Sequence, residues 1–308
     1  MEGPIQKVAV MGAGAVGSFF GGMLARAGAD VTLIARGAHL EAMKKDGLFI
    51  DSIRFQEKVP VKASGDPAAV HGAQLVLFCV KSLDTEKTAI SMAPHVDPGA
   101  VVLTLQNGVD NADKIRAITG LVALPTVVYC AAALAGPGRM RHAGRGDLVI
   151  GDTPRETTAT IAATFEHAGV PCRASDNIQG EIWQKLVLNC ASNTITALCH
   201  AGYAMAVRNQ YTRQVMIQAV QETVNVATAA GVRMPTPTPE LIKQLLEIFE
   251  SYGTEAVSST AQDLARGKKT EIDALNGYVA RRGAELGVPA PVNQTLHALV
   301  KLVEDTLK

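Results

Sequence analysis

The sequence predicts an α/β protein in two parts, a doubly wound parallel sheet followed by an all-helical domain. Three observations predict it. The first thirty-odd residues read as strand, glycine turn, helix and strand; short buried apolar runs then recur up to about Ala174–Asn177; beyond that point strands disappear and the apolar period changes from two to 3.6. At 308 residues and 47% hydrophobic content, the chain can fill a core in each part. The expected division is 1–176 and 177–308.

In KVAVMGAGAVGSFFGGMLARAGADVTLIAR, the continuous apolar run Val8–Met11 is what a parallel strand needs when helices cover both its faces. Gly12, Ala13, Gly14, Ala15, Val16 and Gly17 follow at once. In a Rossmann-type unit the first glycine makes the tight turn, the second lets backbone approach a pyrophosphate, and the third lets helix pack on strand. The helix N-terminus then presents free N–H groups to phosphate. Taken alone, GxGxxG is also an ordinary glycine turn; its place between strand and helix favours nucleotide binding. The second strand, Val31–Ala35, ends in Arg36, where NAD-specific folds place an acidic residue for the ribose 2′-hydroxyl. Arginine suits a 2′-phosphate instead, so NADP(H) is expected, with a solvated arginine as the alternative.

Further along, Ala38–Asp46 reads as a short helix and Leu48–Ala63 as a pair of short strands. Leu75–Val80 and Val101–Leu105 are buried strands, with Lys81 just past the first and Asn107 just past the second. Ligands of open α/β sheets bind at carboxyl strand ends, which makes both residues cofactor candidates, although each also suits a turn or cap. Leu121–Ala133 is a strand region, and AGPGRMRHAGRGD a turn-rich hairpin that ends in Leu148–Gly151. Its Arg139, Arg141, His142 and Arg145 read as a solvated basic cluster. Thr157–Ala168 is an amphipathic helix and Val170–Arg173 a last strand. The helices expected beyond are Ile178–Leu198, Ala204–Ala230, Pro239–Phe249, Ile272–Leu286 and Val292–Leu307, separated by glycines and prolines.

Composition excludes several functions. Basic and acidic residues both total 29, so no net charge argues for nucleic acid or an anionic membrane. No stretch of 18 uninterrupted apolar residues is present. Five scattered cysteines read as reduced thiols of a cytoplasmic protein, and the absence of CxxC or HExxH argues against a metal. No signal peptide is read at the start.

Chemistry concentrates in two stretches. Lys185, Asn189 and Asn193 recur every four residues in EIWQKLVLNCASNTITAL and so share one helical stripe, beside an apolar stripe of Ile182, Leu186, Cys190 and Ala197. A lysine shielded from water can act as general acid, and asparagines offer donors and acceptors to a hydroxylated substrate; the alternative is a solvated stripe. In SSTAQDLARGKKTEIDALNGY, Thr270 suits an N-cap, and Glu271 reads either as a first-turn helix acid or as a catalytic carboxylate.

With MGAGAVGS, VKSLDT, LQNGV, AGPGRMRHAGRG and these two stretches, the chain resembles the ketopantoate reductase family (2-dehydropantoate 2-reductase) nearly end to end. The resemblance implies NADPH-dependent reduction of ketopantoate to pantoate, the step that serves pantothenate and coenzyme A biosynthesis. It makes Lys185 and Glu271 catalytic, puts Asn107, Asn189, Asn193 and Ser259 on the substrate, and assigns Gly12 to Gly17, Arg36, Lys81, Asn107 and Glu271 to the cofactor. The implied partner is a small-molecule 2-oxo acid; a homodimer stays open. Where family members often carry another asparagine, about ten residues past Asn193, this chain reads HAGYAMAV, with Tyr203 near that place. A reductase of another 2-oxo acid is therefore an alternative. A β-hydroxyacid dehydrogenase is a second, but such enzymes tend to place paired asparagines three and four residues after the lysine, and here Leu188 holds the +3 position. A non-catalytic NADP(H) sensor would not need Lys185, Asn189, Ser259 and Glu271 together.

Overall fold

A computed structural model describes residues 5–151, 155–252 and 256–307. In chain order the elements are β1 Lys7–Met11, α1 Ala15–Arg26, β2 Asp30–Ile34, α2 Gly37–Asp46, β3 Leu48–Ser52, β4 Gln56–Val59, β5 Lys62–Ser64, β6 Leu75–Phe78, α3 Thr85–Met92, β7 Val101–Thr104, α4 Asn111–Thr119, β8 Ala123–Gly136, β9 Arg139–Gly151, α5 Arg155–His167 and β10 Cys172–Ser175. Helices follow: α6 Ile178–Cys199, α7 Tyr203–Arg208, α8 Gln210–Ala229, α9 Thr238–Ser251, α10 Ser259–Ala265, α11 Asn276–Leu286 and α12 Pro291–Thr306. The chain folds as two compact units, Met1–Gln106 with Asp110–Ile178, and Asn107–Val109 with Gln179–Lys308.

In the first unit β5, β2, β1, β6, β7 and β8 lie side by side and parallel. Alternate residues of β1 feed opposite cores. Val8 and Val10 pack with Phe20 and Leu24 of α1, while Ala9 and Met11 pack with Met92 and Ile115 on the other face. Burial on both faces explains why no polar residue interrupts Val8–Met11. Past β8 the sheet turns antiparallel to β9, which is flanked by β3 and by β10.

The hairpin differs from its sequence expectation. AGPGRMRHAGRGD is mostly strand: β9 runs unbroken for 13 residues, and only Pro137 and Gly138 form the turn. Its glycines serve pairing irregularities, as Gly146 is skipped where Tyr129 pairs with Asp147 and Cys130 with Arg145. The three arginines of the basic cluster are exposed on this sheet, as expected, and only His142 is buried. Arg139 lies over Phe49, Arg145 lies over Tyr129 and pairs with Asp147, and the buried His142 stacks on Phe19 and bonds to Ser52. Leu48–Ala63 also holds three strands rather than two, because β5 leaves β3 and β4 to join β2 on the opposite edge.

In the second unit the long helix expected over Ala204–Ala230 is two. Asn209 accepts hydrogen bonds from Tyr211 and Thr212 N–H groups, a side-chain cap that starts α8 anew. Ile272–Leu286 likewise divides into a 3-10 turn, Ile272–Ala274, and α11. The short α10 was not expected; Ser258 caps it by accepting from Ala261 N–H. Val187, Ala191 and Ile195 of α6 pack against Met216 and Val220 of α8 and Leu241, Leu245 and Phe249 of α9. Tyr203 joins that aromatic end, stacked on Phe249 at 4.9 Å, and burial pushes its phenol pKa up. No helix among the described residues is long and apolar enough to cross a membrane.

Candidate active site

The glycine turn of the first unit is built by close approach. Gly12 has φ +97°, and a Cβ there would lie 2.7 Å from Val80 Cγ1. A Cβ on Gly17 would lie 2.3 Å from the Gly12 carbonyl oxygen and 2.8 Å from Val10 Cγ1, so α1 can sit this near β1 only because Gly17 has no side chain. Gly14 differs, since a Cβ there would have no atom within 4 Å. Open space therefore lies where a pyrophosphate approaches backbone in such a fold. No side chain caps the N-terminus of α1 and no acidic residue lies in its first turn, which leaves its N–H groups for an anion. These residues fit a dinucleotide. Arg36 and Lys81 are both exposed: Arg36 just precedes α2, and Lys81 leads the 3-10 turn Ser82–Asp84.

In the second unit, the expected catalytic residues are joined through a third. Lys185 Nζ donates to Asn107 Oδ1 at 2.9 Å, and Asn107 Nδ2 donates to Glu271 Oε2 at 3.1 Å. A lysine can only donate and a carboxylate can only accept, so only one orientation of the amide serves both neighbours. Asn107 follows β7 in sequence, yet Asn107–Val109 packs with the helical unit. Glu271 is 8% exposed, and a buried carboxylate needs such donors to offset its lost hydration. Lys185 is half-buried, placed on α6 beside Leu186 and Val187, which lie in the core.

The remaining sequence candidates fall in different environments. Asn189 is half-buried one helical turn beyond Lys185, and its side chain has no hydrogen-bond partner among the described residues. Asn193 is 4% exposed, and its backbone carbonyl accepts from both Ser258 and Thr196 hydroxyls. Ser259 is exposed at the start of α10, whereas Ser258 is buried as the cap. Asn189 and Ser259 thus keep free polar groups, and Asn193 is largely committed to the fold.

Sequence reasoning missed the side chains that hold this region. Asn276, fully buried, donates to the Cys190 carbonyl and Asn293 Oδ1 and accepts from Thr194. Asn293 donates in turn to Glu222, whose carboxylate also accepts the N–H groups of Val292 and Asn293 at the start of α12. The available signal was an amide on the buried stripe of each of two helices, beside Val279 in α11 and beside Leu296 and Val300 in α12.

A Rossmann-type unit with an uncapped glycine turn, together with a helical unit that carries a lysine, amide and carboxylate in one hydrogen-bonded chain, defines a nucleotide-dependent oxidoreductase. Residues 8–155 match the family described as Ketopantoate reductase PanE/ApbA, and residues 177–304 match its C-terminal domain. The chain belongs to the ketopantoate reductase family. It is 35% identical over 303 residues to a 2-dehydropantoate 2-reductase from Pyrococcus horikoshii, covering 97% of each chain. Among solved structures it resembles a PanE/ApbA family ketopantoate reductase from Ralstonia eutropha JMP134, with a TM-score of 0.92, 50% identity and coverage of 98% and 99% of the two chains. It also resembles a D-mandelate dehydrogenase solved with NADH and anilino(oxo)acetate, with a TM-score of 0.90, 26% identity and the same coverage.

Proposed function

We propose that this chain reduces 2-dehydropantoate (ketopantoate) to pantoate with NADPH, in the cytoplasm. Residues 1–176 act as the NADP-binding domain and 177–308 as the substrate and catalytic domain. The hydrogen-bonded chain from Lys185 through Asn107 to Glu271 carries the proposal, because a hydride acceptor needs a positioned proton donor and a sensor does not. The glycines Gly12, Gly14 and Gly17 and the α1 N-terminus would hold the pyrophosphate, with Arg36 and Lys81 toward the phosphates; bound NADPH supplies hydride to the ketone carbon. Negative charge then gathers on the ketone oxygen. Lys185 stabilises that oxygen and delivers its proton, general acid help that is typically worth ~10²–10⁴-fold. Asn107 holds the ammonium by accepting one of its hydrogens and links it to the Glu271 carboxylate. Asn189 and Ser259 have polar groups available for the carboxylate and hydroxyl of the substrate.

A second reading has support from the D-mandelate dehydrogenase neighbour and from the stretch HAGYAMAV, with Tyr203 near the place where the family often has asparagine. It makes the substrate another 2-oxo acid. NADPH oxidation at 340 nm with ketopantoate, 2-oxoisovalerate and phenylglyoxylate separates the two. A kcat/KM at least tenfold higher for ketopantoate supports the first reading, and a preference for phenylglyoxylate replaces it. Light scattering on the eluting protein tests for a homodimer.

A further inference from the structure

Glu271 lies on a short segment, and the carboxylate that pins that segment comes from the far end of the chain. Glu304 Oε1 accepts from both Thr270 N–H and Thr270 Oγ1, each at 2.6 Å, and the Thr270 hydroxyl in turn accepts from Ile272 N–H at 3.2 Å. The residue between these anchors is Glu271. A buried carboxylate in the last turn of a helix opposes the helix dipole and gives up its water, so Glu304 breaks two local rules at once. Lys301 offsets part of this cost: its ammonium reaches Glu304 at 2.9 Å and Asp273 at 3.1 Å, and His297 meets the other Asp273 oxygen at 2.7 Å. Three polar side chains of α12 thus grip Thr270 and Asp273, the residues on either side of Glu271 and Ile272.

We propose that Glu304 is a positioning residue for the reaction: through Thr270 it holds Glu271 where Asn107 can bridge that carboxylate to Lys185. The inference rests on the proposed function for its kinetic consequence, though its structural claim can be read without substrate. Glu304→Gln keeps the size of the side chain and removes its charge, and Thr270→Val removes the hydroxyl while leaving the backbone donor. Because misplacement by about 1 Å can cost on the order of 10²-fold in rate, each variant should lose roughly 10- to 100-fold in kcat while KM for ketopantoate moves less than about threefold. In a Glu271→Ala background the Glu304→Gln loss should nearly vanish, whereas a purely structural role would add in full.

The substrate-free arm follows Lys185 by NMR of ¹³C-dimethylated lysines, assigned with Lys185→Arg. Its titration midpoint should fall by about 0.5 or more in Glu304→Gln, as Glu271 drifts from the Asn107 bridge. An unchanged midpoint, or additive kinetic losses, overturns the positioning role. If the unmodified protein leaves ketopantoate unreduced but the Lys185 midpoint still responds, the substrate assignment fails and the positioning role stands. Should Glu304→Gln not fold, Thr270→Val carries both arms.

Discussion

The two units reach precision by opposite means. Around the glycine turn of the first unit, position is set by atoms that are absent: Gly17 lets the helix touch Gly12 and Val10, and the surrounding strands are apolar on both faces. Around Lys185 in the second unit, position is set by side chains that are present. Asn276, Asn293, Thr194, Glu222 and Glu304 form buried or partly buried hydrogen bonds that tie separate helices and the Thr270 segment together. The first region should therefore fail when atoms are added, and the second when they are removed.

The largest effect is expected at Lys185. Lys185→Ala should depress kcat/KM for ketopantoate by about 10²–10⁴-fold and leave NADPH affinity, read by fluorescence titration, nearly unchanged. Equal loss in both would merge two functions that are here assigned to separate units. Asn276→Leu comes next. It strands the Asn293 amide oxygen and the Thr194 hydroxyl in the interior and removes a second donor from the Cys190 carbonyl, and at about 1–3 kcal/mol per unsatisfied group the expected loss in urea unfolding is about 3 kcal/mol.

Gly17→Ala tests the opposite rule by adding one carbon where the Gly12 carbonyl stands. It should cost roughly 1–3 kcal/mol and weaken NADPH, while the second unit keeps its hydrogen-exchange protection. Arg36→Asp should weaken NADPH by about tenfold more than NADH, since a charge-assisted bond becomes a repulsion. Equal efficiency with both cofactors in the unmodified protein would remove Arg36 from the phosphate site.

The smallest effect is a separation in pH. Burial lowers the pKa of His39 and of His142 below 6.5, so the stability linked to their neutral forms is whole above about 6.5 and lost as pH falls toward the lowered values. In the second unit, hydrogen bonds and the Lys301 charge outweigh burial and hold Glu304 below 4.5 and Asp273 below 3.8. Stability from those carboxylates is present above these ordinary values and lost as pH falls through the lowered ones. Hydrogen exchange between pH 7 and pH 3 should show the first unit loosening before the second; simultaneous loosening would contradict the assignment.

Much of this was legible in the chain. Gly12, Gly14 and Gly17 lie within six residues, and β1 is a continuous apolar run, so local sterics and periodicity expose the first site directly. Lys185, Asn189 and Asn193 share a helix face at spacing four and were equally visible. The bridge from Lys185 to Glu271 was not, because Asn107 is 78 residues from one and 164 from the other, and hydrogen bonds at that separation leave no period. Glu304 reads as an ordinary solvent-facing acid near a helix end. Only the fold turns it toward Thr270. The helix α10 escaped notice because seven residues hold too few turns for an apolar stripe to repeat.

The excursion of Asn107–Val109 out of the first unit has a consequence for how this protein can be divided. Cutting the gene after Ile178 would yield a tidy sheet domain and a tidy helical domain, yet the helical piece would lack the amide that joins its lysine to its glutamate. Neither half could be inherited, swapped or expressed with the complete hydrogen-bonded chain of Lys185, Asn107 and Glu271. Exchanging the sheet unit of this chain would have to bring a matching Asn107 with each new sheet to keep that bridge, so the three-residue loop, rather than the long helix at the apparent boundary, sets which halves can be paired.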